Sequence, residues 1–518
     1  MKTPNDGIFN RSGSSQGAGV AKSGSWILAA TILGSSMAFI DGTIVNVAAP
    51  KFQSAFQATV VDVQWVIESY GLLLSCLILA GGALGDRLGR RLVFLLGVGI
   101  FAAASVACGL APNIHVLILA RSVQGIGAAL LVPGSLAIIS ASFDESSRGR
   151  AIGTWSGFTA ITTALGPVVG GWLIEHASWR WAFFLNIPIA AAVILLCLFH
   201  VPESRGSQAG RLDWMGALLA TAGLGGVVTG LLESSRLGWR NPIVLGGLTG
   251  GAILLAIFLW VETRVSAPMV SLSLFDSRSF LGANLLTLLL YSAVGIFFFL
   301  FPLTLMQVHG YSATAAGAAS LPIIVLLGFL SRWSGGLVKR YGGKLPLIVG
   351  PLIVASGFIL FAVFSAGGSY WKTFFPASLV LGLGMAVTVA PLTTVVMSAV
   401  DKDHTGAASG INNALARLAG VLAIAIFGIV MVHTFTAHFE RSLPGLWLPP
   451  ESVQEIRVKE IDLAGMELPK NLDPAAGAAV RNAVSQAFLS GFRVVLLSCA
   501  ALSIASAAAA WRLIPGES

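Results

Sequence analysis

Three ionisable residues sit inside long apolar runs in the first quarter of the chain: Asp41, Glu68 and Arg121. A charged side chain at the centre of a bilayer costs at least ~2.5–3.5 kcal/mol, so such residues mark proton exchange, counter-charges or solute contacts. Asp41 lies ~13 Å from the end of its run, Glu68 ~9 Å and Arg121 ~10 Å, at ~1.5 Å per helical residue. At similar depth the three can share one cavity. Burial favours the protonated form of a carboxyl and a neighbouring guanidinium favours the ionised form. Asp41 is therefore expected to be the main proton-coupling acid, with Arg121 tuning it and Glu68 as a second proton or cation site. The plainer alternative is a static ion pair in which an acid simply satisfies Arg121.

A second set has residue types suited to gating. Residues 81–94 read GGALGDRLGRRLVF. Gly82, Gly85 and Gly89 permit close helix approach. Asp86 can cap a helix N-terminus or hold a basic residue of a neighbouring bundle, and Arg87, Arg90 and Arg91 also suit membrane-surface anchors. Gly166, Pro167, Gly170 and Gly171 give another run a kink and a flat face for sliding. A solute cavity is apolar with a few placed polar groups; its candidates are Gln64, Gln124, Asn284, Tyr291, Asn413 and Arg417. Arg417 shares a helical face with Asn413, Gly410 and Gly406. A first-half acid, backbone carbonyls and an anionic solute group remain alternative partners for it. Phe297, Phe298 and Phe299 read as packing residues. Asp473 is placed to cap a helix-like run from Pro474 to Phe488.

The elements that must position these residues are membrane helices. Of 518 residues, 55% are hydrophobic and 10% charged, against roughly 25% charged in soluble domains. Only helices or closed barrels satisfy their backbones in hydrocarbon, and the apolar runs have the ~20-residue length of helices rather than of barrel strands. The expected class is an all-α membrane protein with fourteen spans, near 25–49, 62–84, 92–110, 114–140, 150–174, 181–201, 213–232, 243–262, 279–302, 314–338, 345–366, 374–399, 406–432 and 488–512. One set of loops and tails holds Lys2, Arg11, Lys22, Arg87, Arg90, Arg91, Arg148, Arg150, Arg205, Arg211, Arg264, Arg278, Lys339, Arg340, Lys344, Lys402 and Arg512. The other holds only Lys51, Arg180, Arg236, Arg240 and Lys372 outside the long segment 433–487. Basic loops stay inside, so both termini are expected in the cytoplasm and 433–487 outside, as a connector that partly covers the outer mouth.

Other classes lack their signals. The net charge of +8 is scattered over short loops, not gathered on a nucleic-acid patch. Cys76, Cys108, Cys197 and Cys499 lie in apolar runs without metal-ligand spacing or a disulfide framework. No zinc motif, nucleophile elbow or phosphate loop supports a lipid-modifying membrane enzyme. No metal or cofactor is expected. Residues 1–24 read as a Gly/Ser-rich disordered tail, and the run from Trp26 is too long for a signal-peptide core.

The chain also repeats itself. Asp144, Gly149, Ala151 and Gly153 recur as Asp401, Gly406, Ala408 and Gly410 at an offset of 257. Gly125-x-Gly127 before Pro133 recurs as Gly382-x-Gly384 before Pro391, and the 82–91 loop has a degraded copy at 335–344 in which Lys339 replaces Asp86. Internal repeats are typical of secondary transporters with a site between the halves. The expected division is a six-helix bundle over 25–201, a linker with two extra helices over 202–278, and a second bundle over 279–512, followed by a tail at 513–518.

With these residues in view, the chain resembles the major facilitator superfamily, and within it the fourteen-helix drug:proton antiporters of the EmrB/QacA type. The run Asp41 to Pro50 is similar to the family's first-helix motif. Gly82 to Phe94 matches the superfamily loop motif. Arg121 to Gly127 resembles the fourth-helix motif with its buried arginine, and Gly166 to Gly171 the fifth-helix antiporter motif. Ser178 to Trp181, continuing to Asn186-Ile187-Pro188, fits as well. The resemblance implies two six-helix bundles plus two inserted helices, and alternating-access export of amphipathic, drug-like compounds driven by a proton gradient. It also implies the multi-pass cytoplasmic membrane of a bacterium and a monomer. An exporter or flippase of a lipid or anionic metabolite is the alternative that Arg417 keeps open.

Overall fold

The computed structural model describes residues 13–206, 213–265, 268–366, 368–401, 405–446, 448–458, 460–466, 468–469 and 472–516. Lys2, Arg11, Arg211 and Lys402 lie outside these residues, as do the side chains of Lys22, Arg332 and Lys339. Among the described residues, fourteen helices are long and apolar enough to cross a bilayer. They are α1 (Gly13–Phe56), α2 (Val60–Leu88), α3 (Arg90–Gly109), α4 (Ile114–Ser142), α5 (Glu145–His176), α6 (Trp181–His200), α7 (Trp214–Leu237), α8 (Pro242–Glu262), α9 (Arg278–Val308), α10 (Ala313–Leu330), α11 (Lys344–Val363), α12 (Phe374–Ser398), α13 (Thr405–Ser442) and α14 (Pro474–Leu513). An even number of crossings puts both termini on one face, here the terminal face; the opposite loop face carries 433–487.

Several boundaries move from the sequence expectation. The first helix starts at Gly13, inside the expected tail. Helix α13 runs on to Ser442 and α14 begins at Pro474, so much of 433–487 extends these two helices. Asp473 precedes α14, but its side chain makes no capping bond. Elsewhere capping follows the sequence. Thr59 and Asp62 form a reciprocal capping box on α2, and Asn113, Asp213, Asn241 and Ser277 accept from the first turns of α4, α7, α8 and α9. Each cap satisfies an N–H that a helix end cannot.

Two bundles repeat one packing scheme. In the first, α1 packs on α5 and α6, α3 on α4 and α6, and α2 on α4; in the second, α9 packs on α13 and α14, α11 on α12 and α14, and α10 on α12. The glycines explain the correspondence. A Cβ on Gly125 would lie 2.6 Å from the Tyr70 carbonyl of α2, and one on Gly382 would lie 3.1 Å from the Ile323 carbonyl of α10. A Cβ on Gly127 would lie 2.6 Å from Phe101 N of α3, and one on Gly384 2.6 Å from Val354 N of α11. Bare backbone at these positions lets three helices meet closely, which is how helices associate without a hydrophobic driving force.

Helices α7 and α8 pack on each other, and α7 packs against α2 and α13. Trp65 of α2 donates to Glu233 of α7 at 3.0 Å, and Arg236 bonds the same carboxylate at 2.6 Å. The inserted pair is thus fastened to the first bundle by a buried acid.

The bundles meet along α5–α10 and α2–α13. On the loop face, Glu175 accepts from the Thr314 hydroxyl at 2.6 Å, and Gln307 donates to Gln53 at 2.7 Å. Gln53 also donates to the Asp462 carbonyl at 3.4 Å, so the segment after α13 covers the ends of α1 and α9. Along α5, Gly171 and Pro167 lie against Ala313 and Gly317 of α10, whereas Gly153 and Gly157 towards the terminal face meet nothing within 4 Å. The halves are closed on the loop face, and towards the terminal face α5 stays on its own bundle through Trp155, which donates to Ser35 at 3.0 Å, while Gly153 and Gly157 face open space.

The helix packing makes a sharp contrast between two glycines of one helix. A Cβ on Gly97 would sit 2.8 Å from Leu131 N and 2.9 Å from Gly127 O, while one on Gly99 would meet nothing. Gly97→Val is expected to cost about 1–3 kcal/mol by overpacking and Gly99→Val close to nothing, as read from unfolding midpoints in detergent.

Candidate functional site

Asp41 and Arg121 are both 1% exposed and form an ion pair between α1 and α4. Both carboxylate oxygens of Asp41 and the amide oxygen of Gln124 are occupied, while Asn186 Oδ1 has no partner among the described residues. Arg121 Nη1 donates to Asp41 Oδ2 and, at 2.6 Å, to Gln124 Oε1, while its Nε donates to the Val66 carbonyl of α2 at 3.2 Å. Gln124 donates to Asp41 Oδ1 at 2.8 Å and to Ser105 Oγ of α3 at 2.9 Å. Asn186, the first residue after the break at Leu185 in α6, donates to the same two oxygens at 3.2 Å. The guanidinium lies 4.2 Å above the Tyr70 ring, a planar stacking that lysine could not make. Five of the six helices of the first bundle meet in this cage.

Glu68 lies outside it. The residue is 1% exposed, and neither carboxylate oxygen has a hydrogen-bond partner among the described residues. Its position follows from the face of α2 it shares. Gln64, one turn before, touches Gly428 of α13, and a Cβ on Gly71, one turn after, would lie 3.0 Å from Val421. Residues four and three apart share a helix face, so Glu68 occupies the α2–α13 seam, beneath the Gln64–Gly428 contact. The single cavity expected for Asp41, Glu68 and Arg121 is therefore two sites: a closed cage within one bundle and an unpartnered acid between bundles.

The other candidates fall in different places. Gln64 fills the seam and Gln124 is wholly enclosed by the cage. Asn284 accepts from Asn412 at 3.1 Å, which also donates to Thr287 at 2.7 Å, a polar cross-link inside the second bundle. Asn413 is exposed and donates back to Ser409 O of its own helix. Tyr291 is half-buried against the core. Arg417 is half-buried and reaches across to the first bundle, but it meets the Phe39 ring at 5.6 Å rather than an acid. Phe297 and Phe299 are core residues; Phe297 packs with Phe301, Phe358 and Phe361.

The 81–94 loop is tied to its own bundle. Asp86 accepts from Arg90 at 2.8 Å, and Arg90 reaches the Ala137 carbonyl of α4 at 3.4 Å. The N-terminus of α3 is capped by Glu203, which accepts from Arg91 N and Leu92 N at 3.0 and 3.1 Å, and not by Asp86. Gly89 has φ +128°, and a Cβ there would strike the Glu203 carboxylate at 2.7 Å. Gly206 N donates to the Asp86 carbonyl, and Arg90 N to Ser204, both at 2.9 Å. Arg87 is exposed. A Cβ on Gly82 would lie 3.6 Å from Pro133 of α4. Gly166 and Gly170 lie against Thr43 and Ile44 of α1, and Gly171 against α10, so the α5 motif forms the hub between α1 and the second bundle.

Sequence reading missed Ser105, Asn186 as a cage member, Glu203 and Glu233. Ser105 carries no sequence signal. Asn186 stands in a family-like run that gives it no role. Glu203 and Glu233 sit at helix ends, where an acid reads as solvated.

The matching family model is described as the Major Facilitator Superfamily and covers residues 31–214 and 211–424. The chain is 35% identical over 95% of its length to the multidrug resistance protein Stp of Mycobacterium tuberculosis (strain CDC 1551 / Oshkosh), covering 92% of that protein. It is 30% identical over 93% of its length to the tetracenomycin C resistance and export protein of Streptomyces glaucescens, covering 90% of it. Among solved structures, it is similar at a TM-score of 0.63 and 19% identity to a bacterial homolog of the human lysosomal transporter Spinster, over 96% of this chain and 99% of that one.

Removing one member of a buried charge pair strands the other, typically at about 3–5 kcal/mol. Asp41→Ala and Arg121→Ala are each expected to show that loss in thermal unfolding, and the double variant Asp41→Leu with Arg121→Met to recover most of it. Strictly additive losses would show that the pair is not coupled.

Proposed function

The chain belongs to the Major Facilitator Superfamily, and from that premise we propose that it is a proton-coupled exporter of amphipathic small molecules working by alternating access. Relatives named for drug resistance and export support the direction and the substrate class. The basic loops support termini in the cytoplasm, which makes the closed loop face the outer one and the site that of a bacterial cytoplasmic membrane.

The observation that carries the coupling is Glu68, a buried carboxyl with no partner in the seam between the bundles. A bare charge there has nothing to compensate it, so a proton is its economical occupant while the seam is closed. Sliding of α13 along α2 carries Gly428 off Gln64, which hydrates Glu68 and lets the proton exchange with the outside. Asp41, the leading acid by sequence, is instead neutralised by Arg121 in this conformation. Its role is to keep α1, α3, α4 and α6 moving as one body. Pro167 and Gly171 supply the smooth surface on which α5 moves against α10, and Gly166 and Gly170 the close contact of α5 with α1.

Arg417 supports a second reading. A half-buried guanidinium facing the first bundle over an aromatic ring suits the negative or polar end of a lipid or anionic metabolite.

Purified protein in proteoliposomes with an imposed pH gradient tests these roles against cationic, neutral and anionic amphiphiles. Wild type is expected to release protons on addition of a transported compound. Glu68→Gln should bind it with nearly unchanged affinity and exchange it without a gradient, while losing gradient-driven accumulation. Asp41→Asn should lose both. Undiminished drug-linked proton flux in Glu68→Gln would remove the assignment, and preference for anionic compounds would favour the second reading.

A further inference from the structure

Behind α13, away from Arg417, the helices enclose a cavity of about 360 Å³. Three bodies of the fold wall it: Cys76 of α2, Ala220 of α7, Phe258 of α8, Leu285 of α9 and Ala414 of α13, with Val270 on its terminal-face rim. The polar groups that line it are already bonded within the protein. Ser75 donates to Gly71 O at 2.6 Å, and Asn284 donates to Phe280 O at 2.9 Å while accepting from Asn412. No group is left to recognise a polar solute, so whatever enters is hydrocarbon.

The opening is sideways. Leu281 and Leu285 of its α9 wall are exposed, towards the space that lipid fills around a spanning protein. They stand three and seven residues beyond Arg278, about 5 and 10 Å from the helix start at ~1.5 Å per residue, which is acyl-chain depth. Headgroup depth is basic. Arg278 at the start of α9 and Arg264 after α8 are both exposed, and Asp276 is the one acid between them. Arg264 lies 4.8 Å from the ring of exposed Trp260, and indoles of this kind mark the membrane interface. Glu262 accepts from Val270 N at 2.8 Å and fixes the rim from below.

We propose that this cavity binds an anionic phospholipid, with an acyl chain between the inserted helices and the α2–α13 seam and the headgroup on Arg264 and Arg278. The lipid wedges the insert against both bundles, and movement of α2 relative to α13 sets its occupancy. The inserted helices then serve as the wall of a lipid site and not only as a linker.

Full-length protein in phosphatidylcholine vesicles doped with phosphatidylglycerol bearing a photoreactive acyl chain provides the test. Irradiation is expected to label residues 281–288 and 411–418 several-fold above Leu92 and Leu96, which are ordinary exposed positions of α3. Phosphatidylcholine with the same chain should label them less. The double variant Arg264→Ala, Arg278→Ala should lower phosphatidylglycerol labelling about tenfold without changing labelling at α3. Leu285→Trp, which fills the mouth from its exposed side, should lower it for both lipids. Equal labelling by the two lipids, labelling no stronger than at α3, or loss of the label to a transported amphiphile with no dependence on the arginines would each overturn the proposal. The wild-type comparison decides the matter where a variant does not insert.

Discussion

A guanidinium in the middle of a helix bundle has to find all its acceptors inside that bundle, and the first half of this protein is arranged around that demand. Arg121 draws on α1 through Asp41, on α2 through the Val66 carbonyl and the Tyr70 ring, and on its own helix through Gln124. Gln124 and Asn186 then bring in α3 and α6 through Ser105. Low dielectric strengthens each of these bonds and makes each unmade one costly. The result is a bundle whose helices cannot tilt independently, which is what a rigid-body transport cycle needs from at least one of its halves.

The second half solves the same packing problem differently. At the 257-residue offset, Arg121 and Gln124 correspond to Ser378 and Leu381, and at the offset that pairs 82–91 with 335–344 and Phe101 with Val354, Ser105 corresponds to Phe358. Aromatic rings take over the centre: Phe297, Phe301, Phe358, Phe361 and Phe374 pack with centroids 4.8–5.8 Å apart in successive pairs. Polar cross-links remain from Asn412 to Asn284 and Thr287, from Ser292 to the Ala419 carbonyl, and from Arg493 of α14 to the Ala362 carbonyl of α11. Helix pairing is shared by the two bundles because glycines at Gly125 and Gly127 recur at Gly382 and Gly384, while the cores they surround have diverged. Among the described spans, Asp41 and Glu68 are buried acids of the first bundle, and the second bundle faces them with a wall and Arg417.

Much of this is legible in the sequence. The fourteen helices follow from run length and hydropathy, which the bilayer enforces residue by residue. Asp41 and Arg121 stand out because a charge inside an apolar span persists only where a partner or a task offsets its desolvation. What the sequence does not show is which buried polar groups face one another. Ser105 is one serine among many until α3 is set against α4. Glu68 reads as a neighbour of Asp41 because depth along a helix is visible in a sequence and direction around it is not, without knowing which helix lies opposite. Glu203 reads as a loop acid, yet it caps α3 and holds the Gly89 turn, since the chain after α6 returns to the start of α3. Asp86, whose type and position suit that cap or a contact with the other bundle, instead holds Arg90.

These contacts also say how the molecule can move. The seams α2–α13 and α5–α10 are equivalent under the repeat, but they are built differently. Helix α5 offers glycine and proline backbone to α10 near the loop face and stands clear beyond it. Helix α2 stays in contact with α13 from Gln64 against Gly428 to Leu79 against Gly410. The inserted pair sits beside this longer seam and is bolted to α2 by Glu233 and Trp65. A rocking motion that opens the loop face must then part α5 from α10 freely while shearing α13 along α2 and the insert. Glu68 lies in the seam that shears and not in the one that parts. That placement ties its hydration to the motion of the whole bundle, whereas an acid at the α5–α10 contact would be wetted by local fraying alone.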